Sequence, residues 1–173
     1  MNIIVAPQSF KGSLSAKDAT KIISQCVSEI FPEADIVQIP IADGGDGTLE
    51  TIIDATDGQI KTTTVSGPLN DNISAPWGLF ESVDSKKTAI IEMARCSGLA
   101  LLDPKRLNPY LATTYGTGEL ILEAINSGCK KIILGIGGSA TNDCGVGLAN
   151  ALGIKFKDIN GNEIIRDVKK FID

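Results

Sequence analysis

An apolar strand passes through a glycine-rich loop into a helix in the segment 131-KIILGIGGSATNDCGVG-147. Glycines let a backbone approach a ligand closely and take positive φ, and main-chain N–H groups ahead of a helix suit a bound phosphate. Alone, such a junction could equally serve only to turn a strand into a helix, with one polar side chain as its cap. The density of polar groups favours a ligand site, predicted to include Gly137, Gly138, Ser139, Thr141, Asn142 and Asp143.

A second glycine loop, 43-DGGDGT-48, lies between a strand and a helix earlier in the chain. Its two carboxylates, Asp43 and Asp46, are three residues apart on flexible backbone, so they can meet at one point or hold a Mg²⁺ ion. The alternative is a structural use, in which Asp46 or Thr48 only caps the helix that follows. We predict site roles for both aspartates and for Gly44 and Gly45.

The residues around this second loop predict a parallel α/β unit. Hydrophobic patterning indicates a strand over Asn2–Ala6, a helix over Ser15–Phe31, a strand over Asp35–Ile41 and a helix over Leu49–Ala55. The loop after the first strand should open at the same carboxyl edge as Asp43. That loop offers Ser9 as a binding residue and Lys11 as a cation, although Lys11 could instead be a solvated lysine.

Beyond Gly58 the pattern changes, because strand follows strand without an intervening helix. We therefore predict a parallel Rossmann- or flavodoxin-like lobe that begins with residues 1–64, and a second, mixed α/β lobe that begins with residues 65–173. The elements predicted after Gly58 are strands over Gln59–Val65, Ile73–Phe80, Thr88–Met93, Lys131–Gly135 and Ile154–Lys157, and helices over Thr117–Asn126 and Asp143–Leu152.

Composition narrows the function classes. A net charge of -5 with dispersed lysines and arginines argues against binding to nucleic acid or to an anionic membrane surface. No stretch approaches the roughly 18 apolar residues of a membrane span, and the four cysteines have no CxxC spacing. We expect free thiols, no zinc site and a cytoplasmic protein. The absence of histidine leaves carboxylates, lysine, hydroxyls and backbone amides for catalysis.

Several blocks, taken in order, make the chain resemble the N-terminal half of the type I glycerate kinase family. They are 6-APQSFKGS-13, 42-ADGGDGT-48, 91-IEMA-94 with 97-SGL-99, 113-TTYGTGE-119 and 135-GIGGSATND-143. The resemblance implies ATP-dependent phosphoryl transfer to a hydroxyl of D-glycerate, with Mg²⁺ as the metal. It leaves open whether the product is 2- or 3-phosphoglycerate.

The resemblance gives each candidate a role in a cleft between two lobes. Asp43 would act as general base or contact Mg²⁺, with Asp46 as its partner and Lys11 neutralising charge. The loop after Gly135 would contact phosphate or the acceptor through Gly137, Gly138, Ser139 and Thr141, and would orient it through Asn142 and Asp143.

The chain also departs from the family pattern. Gln8 stands where the family usually has Asp, Asp46 where it often has Glu, and Cys144 where it usually has Gly. Family members are about twice as long, so the remainder of both lobes is expected beyond residue 173 and the fold looks truncated. One alternative is therefore an inactive fragment or split half that needs a C-terminal partner. A Rossmann-like dehydrogenase is disfavoured, because the first strand–helix turn lacks GxGxxG.

Overall fold

The computed structural model describes residues 1–10 and 13–164, which form a mixed α/β fold as predicted. Its elements in chain order are β1 Asn2–Val5, α1 Ala16–Ile30, β2 Asp35–Gln38, α2 Thr48–Thr56, β3 Gln59–Ser66, β4 Asn72–Glu81, β5 Lys87–Glu92, α3 Ala94–Ser97, α4 Tyr115–Asn126, β6 Lys131–Gly135, α5 Val146–Ala151, β7 Phe156–Lys157 and β8 Glu163–Ile164; short 3₁₀ turns span Leu99–Leu101 and Pro104–Arg106.

The N-terminal part is a β1–α1–β2 unit in which the two strands pair in parallel. Ser15 caps α1, because its side chain accepts a hydrogen bond from the Asp18 N–H at 3.0 Å. Val5 is buried on one face of the strand pair. Ile4 and Val37 are cross-strand partners, and they leave apolar side chains 66% and 48% exposed.

The second sheet has the order β3-β4-β5-β6. Strands β3, β4 and β5 pair antiparallel, and a connection that contains α3 and α4 brings β6 parallel to β5. The predicted mixed sheet is thus confirmed. The division predicted between residues 64 and 65 falls within β3, Gln59–Ser66, and remains a prediction.

Helices cover both faces of this mixed sheet. One face packs against α4 around Trp77, Ile91 and Leu120, all of which are buried. On the other face, Leu49 and Ile53 of α2 bury against Ile90, which is adjacent to Ile91 and points to the opposite side of β5. Helix α2, which carries the end of the Asp43 loop, is therefore fixed to the mixed sheet.

Several predicted elements are shorter in the structure, among them β2, which ends at Gln38 and not at the predicted Ile41. The helix predicted from Asp143 begins at Val146, because Cys144 and Gly145 take positive φ of 51° and 76°. The strand predicted over Ile154–Lys157 is reduced to Phe156–Lys157. Among the residues that the structure describes, no helix combines the length and apolar character needed to cross a bilayer.

Candidate functional site

The two glycine loops lie in direct backbone contact. The Gly137 N–H donates to the Gly44 carbonyl oxygen at 2.8 Å. A Cβ on Gly137 would lie 2.7 Å from the Cα of Gly45, and one on Gly135 would lie 2.7 Å from the Gly44 oxygen. Glycine at 135 and 137 is therefore required by close approach, and the loops can form one site.

A cleft of about 880 Å³ opens beside this contact. The starts of α1 and α2 line it together with Arg95. The predicted site residues that it brings together are Ser9, Asp43, Gly45, Asp46, Gly137 and Gly138. Lys11, the predicted cation, lies outside the described residues.

The carboxylate of Asp43 is exposed and is held by two donors. Its Oδ2 accepts a hydrogen bond from the Gln8 side-chain amide, and its Oδ1 accepts one from the Gly45 N–H at 2.9 Å. Each oxygen retains a lone pair, since a carboxylate offers about four acceptor positions. The sequence pattern did not assign a role to Gln8, and its contact with Asp43 appears only in the fold.

Asp46 is also exposed, and its side chain does not cap α2. The N-cap residue is Gly47, with φ of 93° and no side-chain cap bond, and the Thr48 hydroxyl instead accepts from the Gly44 N–H at 3.0 Å. A Cβ on Gly138 would lie 3.9 Å from Oδ2 of Asp46. The Asp46 carboxylate therefore faces the other glycine loop.

Asp143 lies away from solvent, with 3% of its surface exposed. Its Oδ2 accepts from the N–H and hydroxyl of Thr114, both at 2.8 Å, and from the Gly147 N–H at 3.1 Å; its Oδ1 accepts from the Gly145 N–H at 3.0 Å. These bonds tie the loop after β6 to the starts of α4 and α5. Asp143 is thus placed to hold the loop in shape.

The other polar residues of this loop are more accessible. The hydroxyls of Ser139 and Thr141 are 2.7 Å apart, and the Thr141 N–H donates to the Ser139 hydroxyl at 3.0 Å. Asn142 is exposed. These three side chains can reach a ligand only if it extends beyond Gly138, because the residues lining the cleft from this loop are the two glycines.

Sequence reasoning missed a charged cluster beside the cleft. Glu92 ends β5 with no exposed surface, and its carboxylate accepts from the Leu49 N–H at 2.7 Å and from Arg95 Nε at 2.6 Å. Arg95 Nη2 also pairs with Glu50 at 2.6 Å. Burial lowers the pKa of Arg95, but hydrogen bonding to Glu92 and the charges of both glutamates outweigh it, so the net pKa is raised. The sequence signal that could have indicated this cluster is Glu92 itself, a carboxylate at the end of an apolar strand.

The donor set at the cleft suits a weakly held, hard cation. Within residues 1–10 and 13–164, no group of three or more His, Cys, Asp or Glu side chains is arranged to hold a metal by itself. Mg²⁺ commonly binds through one or two carboxylates plus substrate phosphates, and Asp43 and Asp46 offer that number. The residues present therefore fit Mg²⁺ that arrives with a phosphate ligand.

Comparison with known proteins agrees with the resemblance found in the sequence blocks. The sequence profile of the glycerate kinase family matches residues 3–172. The chain is 51% identical to glycerate 2-kinase of Escherichia coli K12 over 164 residues, and 47% identical to a glycerate kinase of Bacillus subtilis 168, covering 95% of this chain in each case. A crystal structure from Salmonella typhimurium LT2, provisionally named glycerate kinase 2, superposes with a TM-score of 0.80 at 46% identity over 96% of this chain and 44% of that one.

The chain belongs to the glycerate kinase family. It spans 42% of the length of both curated relatives just described. The resemblance that the sequence blocks indicated is confirmed.

Proposed function

We propose that this chain contributes the phosphoryl-transfer site of a glycerate kinase, in which the γ-phosphoryl group of ATP moves to a hydroxyl of D-glycerate. The observation that carries the proposal is the cleft where Asp43 and Asp46 face the Gly137–Gly138 backbone. Phosphoryl transfer depends on positioning, which the carboxylates and the main chain of this cleft can provide, and on charge neutralisation, which Lys11 and Mg²⁺ would provide, so it does not require histidine.

In the proposed reaction, Asp43 accepts the proton of the glycerate hydroxyl. That oxygen forms a bond to the γ-phosphorus, while the bond from the γ-phosphorus to the bridging oxygen breaks and ADP leaves with its electron pair. Gln8 and the Gly45 N–H hold the Asp43 carboxylate in place through one hydrogen bond to each oxygen. Asp46 is the second carboxylate of the pair, on the side that faces Gly138.

The opposite wall would bind the anionic groups. The backbone around Gly138 would bind phosphate oxygens, and Ser139, Thr141 and Asn142 extend the polar surface beyond it. Lys11 is proposed as the neutralising cation. Asp143 would act by holding this loop. Mg²⁺ bound with ATP would be held by Asp46, or by Asp43 if that carboxylate is a metal ligand and not the base, and would neutralise the phosphate charge.

We further propose that the active enzyme needs a C-terminal segment of the kind that the longer relatives have. We also propose that the enzyme acts in the cytoplasm. The exposed cross-strand pair Ile4 and Val37 supports the first point, because apolar sheet faces are normally covered. The free thiols of Cys26, Cys96, Cys129 and Cys144 support the second, because they suit a reducing compartment.

The test is a coupled assay of ADP release with D-glycerate. The chain is assayed alone and after it replaces the matching 164 residues of the E. coli relative. We expect glycerate-dependent turnover by the fused protein. Asp43→Asn should lower kcat by about a hundredfold or more, a typical loss for a general base. Asp71→Asn is the matched control, because Asp71 is an exposed carboxylate paired with Arg106 at 2.9 Å.

The outcomes separate the alternatives. Turnover by the fused protein but not by the chain alone means that a C-terminal segment completes the site. A folded fused protein that releases no ADP with any of a panel of small hydroxy acids contradicts the proposed kinase function. Full turnover in Asp43→Asn contradicts the base assignment alone.

A further inference from the structure

The start of α2 is capped by a residue from another element. Helix α2 has glycine at its N-cap and no side-chain cap bond of its own. The Leu49 N–H, one of the amides left without an intrahelical partner, donates to Glu92 at 2.7 Å. A carboxylate at a helix N-terminus is favoured by the helix dipole as well as by the hydrogen bond.

The same carboxylate also orients Arg95. Its second oxygen accepts from Arg95 Nε, and the guanidinium reaches on to Glu50, one residue after Leu49. Two consecutive residues of α2 are thereby tied to Glu92 and Arg95. A buried ion pair is weak support for stability, because desolvation of the charges offsets their attraction. The contribution of this network is therefore the geometry that it fixes.

The segment after Glu92 holds the second glycine loop as well. The Met93 N–H donates to the Gly135 oxygen at 2.8 Å, the Leu99 N–H to the Gly138 oxygen at 2.8 Å, and the Ala140 N–H to the Ser97 oxygen at 2.9 Å. One short segment, residues 92–99, is thus bonded to the start of α2 on one side and to the Gly135–Ala140 loop on the other.

We propose that Glu92, acting through Leu49 and Arg95, is a positioning residue that sets the separation between the Asp43–Asp46 carboxylates and the Gly137–Gly138 backbone. Its role in catalysis rests on the proposed function, but its role in geometry does not. Glu92 touches no ligand in this scheme. It fixes the helix that follows one loop to the segment that binds the other.

The geometric part is tested by amide hydrogen exchange in the 173-residue chain. In Glu92→Gln the ionised acceptor is lost and an amide N–H₂ faces Arg95. We expect exchange at Leu49 and Gly137 to become about tenfold faster, the effect of losing a charge-assisted hydrogen bond. Arg95→Lys keeps the positive charge but removes the forked guanidinium, so hydrogen exchange at Leu49 and Gly137 should again become faster.

Glu119→Gln is the matched control. Glu119 also accepts a main-chain hydrogen bond, from the Ser66 N–H at 2.6 Å, but it lies outside the cleft lining. Glu119→Gln should speed hydrogen exchange at Ser66. The exchange rates of Leu49 and Gly137 should stay within about twofold of those in the unsubstituted chain, because distant sites act independently. Faster exchange at Leu49 with an unchanged Gly137 amide would overturn the proposal, and so would an equal increase at Leu120 in the core, which would indicate global destabilisation.

The catalytic part is tested in the fused protein described above. In Glu92→Gln we expect kcat to fall about tenfold, with both KM values within about twofold, because misplaced reacting groups affect the transition state more than binding. Glu119→Gln should keep the original kcat. A Glu92→Gln protein with normal kcat overturns the positioning role. If the unsubstituted fused protein shows no turnover, the proposed function fails, and the exchange experiment still decides whether Glu92 sets the loop geometry.

Discussion

The N–H of Gly137 donates a hydrogen bond to the carbonyl oxygen of Gly44 over 2.8 Å. This single bond joins the loop after β6 to the loop before α2, and it requires glycine at 137, where a Cβ would lie 2.7 Å from the Cα of Gly45, whereas Gly44 is favoured by its positive φ of 86°. The glycines of the two loops therefore provide close backbone contact as well as flexibility. They allow Asp43 and Asp46 to line one cleft together with the Gly137–Gly138 backbone.

Gly137→Ala should separate the two loops. Its Cβ would lie 2.7 Å from the Cα of Gly45, so the backbone must move. We expect a loss of about 1–3 kcal/mol in the free energy of unfolding, typical of overpacking, and at least a tenfold fall in kcat/KM from displaced groups, roughly the lower bound for a shift near 1 Å. Urea unfolding and the ADP-release assay measure the two effects.

Gly153→Ala provides the control for that experiment. Gly153 has φ of 92°, but a Cβ there meets no atom within 4 Å. Its replacement should cost stability through backbone strain and leave kcat/KM unchanged. Equal losses of activity in both variants would show that general destabilisation, and not loop separation, causes the effect.

Asp143→Asn should reveal a structural role for Asp143. The amide NH₂ would replace one carboxylate oxygen, so its donors would face either the Gly145 N–H, which now donates to Oδ1, or the Gly147 N–H, which now donates to Oδ2. We expect the free energy of unfolding to fall by about 3 kcal/mol, in line with breaking buried charge-assisted hydrogen bonds. Denaturant unfolding measures it. An unchanged stability together with a raised KM would instead place Asp143 in direct contact with the ligand.

The thiols should react in two classes. Cys26 and Cys144 are exposed, whereas Cys96 and Cys129 are buried, and burial raises the pKa of the latter two. At pH 8 a raised pKa leaves less thiolate, so Cys96 and Cys129 should react with Ellman's reagent about a hundredfold more slowly than the exposed pair. Cys144→Ser should remove one fast thiol. Four equal rates in the folded protein would contradict the burial pattern.

Asp84 should contribute a pH-dependent increment of stability. Hydrogen bonds from Ser82 and Lys86 lower its pKa from 3.8 to about 2. Because the folded-state pKa is depressed, the increment is present above pH 3.8 and is lost as the pH falls towards about 2. Asp84→Asn should therefore melt below the unsubstituted chain at neutral pH, and the Tm difference should close across that acid range. A constant difference would contradict this origin.

Hydrophobic periodicity predicted the regular elements well, since their signals are local. The strand Lys131–Gly135 has the predicted bounds, and α1 differs by one residue at each end from the predicted helix. The predicted start of α5 was wrong because the Asp143 carboxylate binds main-chain amides and holds the next two residues in a left-handed turn. That arrangement depends on Thr114, far away in the sequence.

The candidate site was only partly predictable for the same reason. Two polar glycine loops after strands indicated candidate ligand sites, and the family resemblance placed Asp43 and Gly137 in one cleft between two lobes. The partners of those loops could not be read from spacing, because Gln8, Glu92 and Arg95 act through contacts between distant segments. A charged residue at the end of a buried strand was the one local sign that Glu92 has a specific partner.

The residues of the cleft lie far apart in the sequence, and this separation affects when the cleft can form during folding. Asp43 is synthesised long before Gly137, and their loops meet through long-range contacts that carry a high closure entropy. A nascent chain that has not yet reached residue 138 lacks one wall of the cleft, whatever secondary structure it already has. Assembly of the cleft therefore requires that β6 has joined the edge of the mixed sheet beside β5, and binding of a ligand would report that pairing.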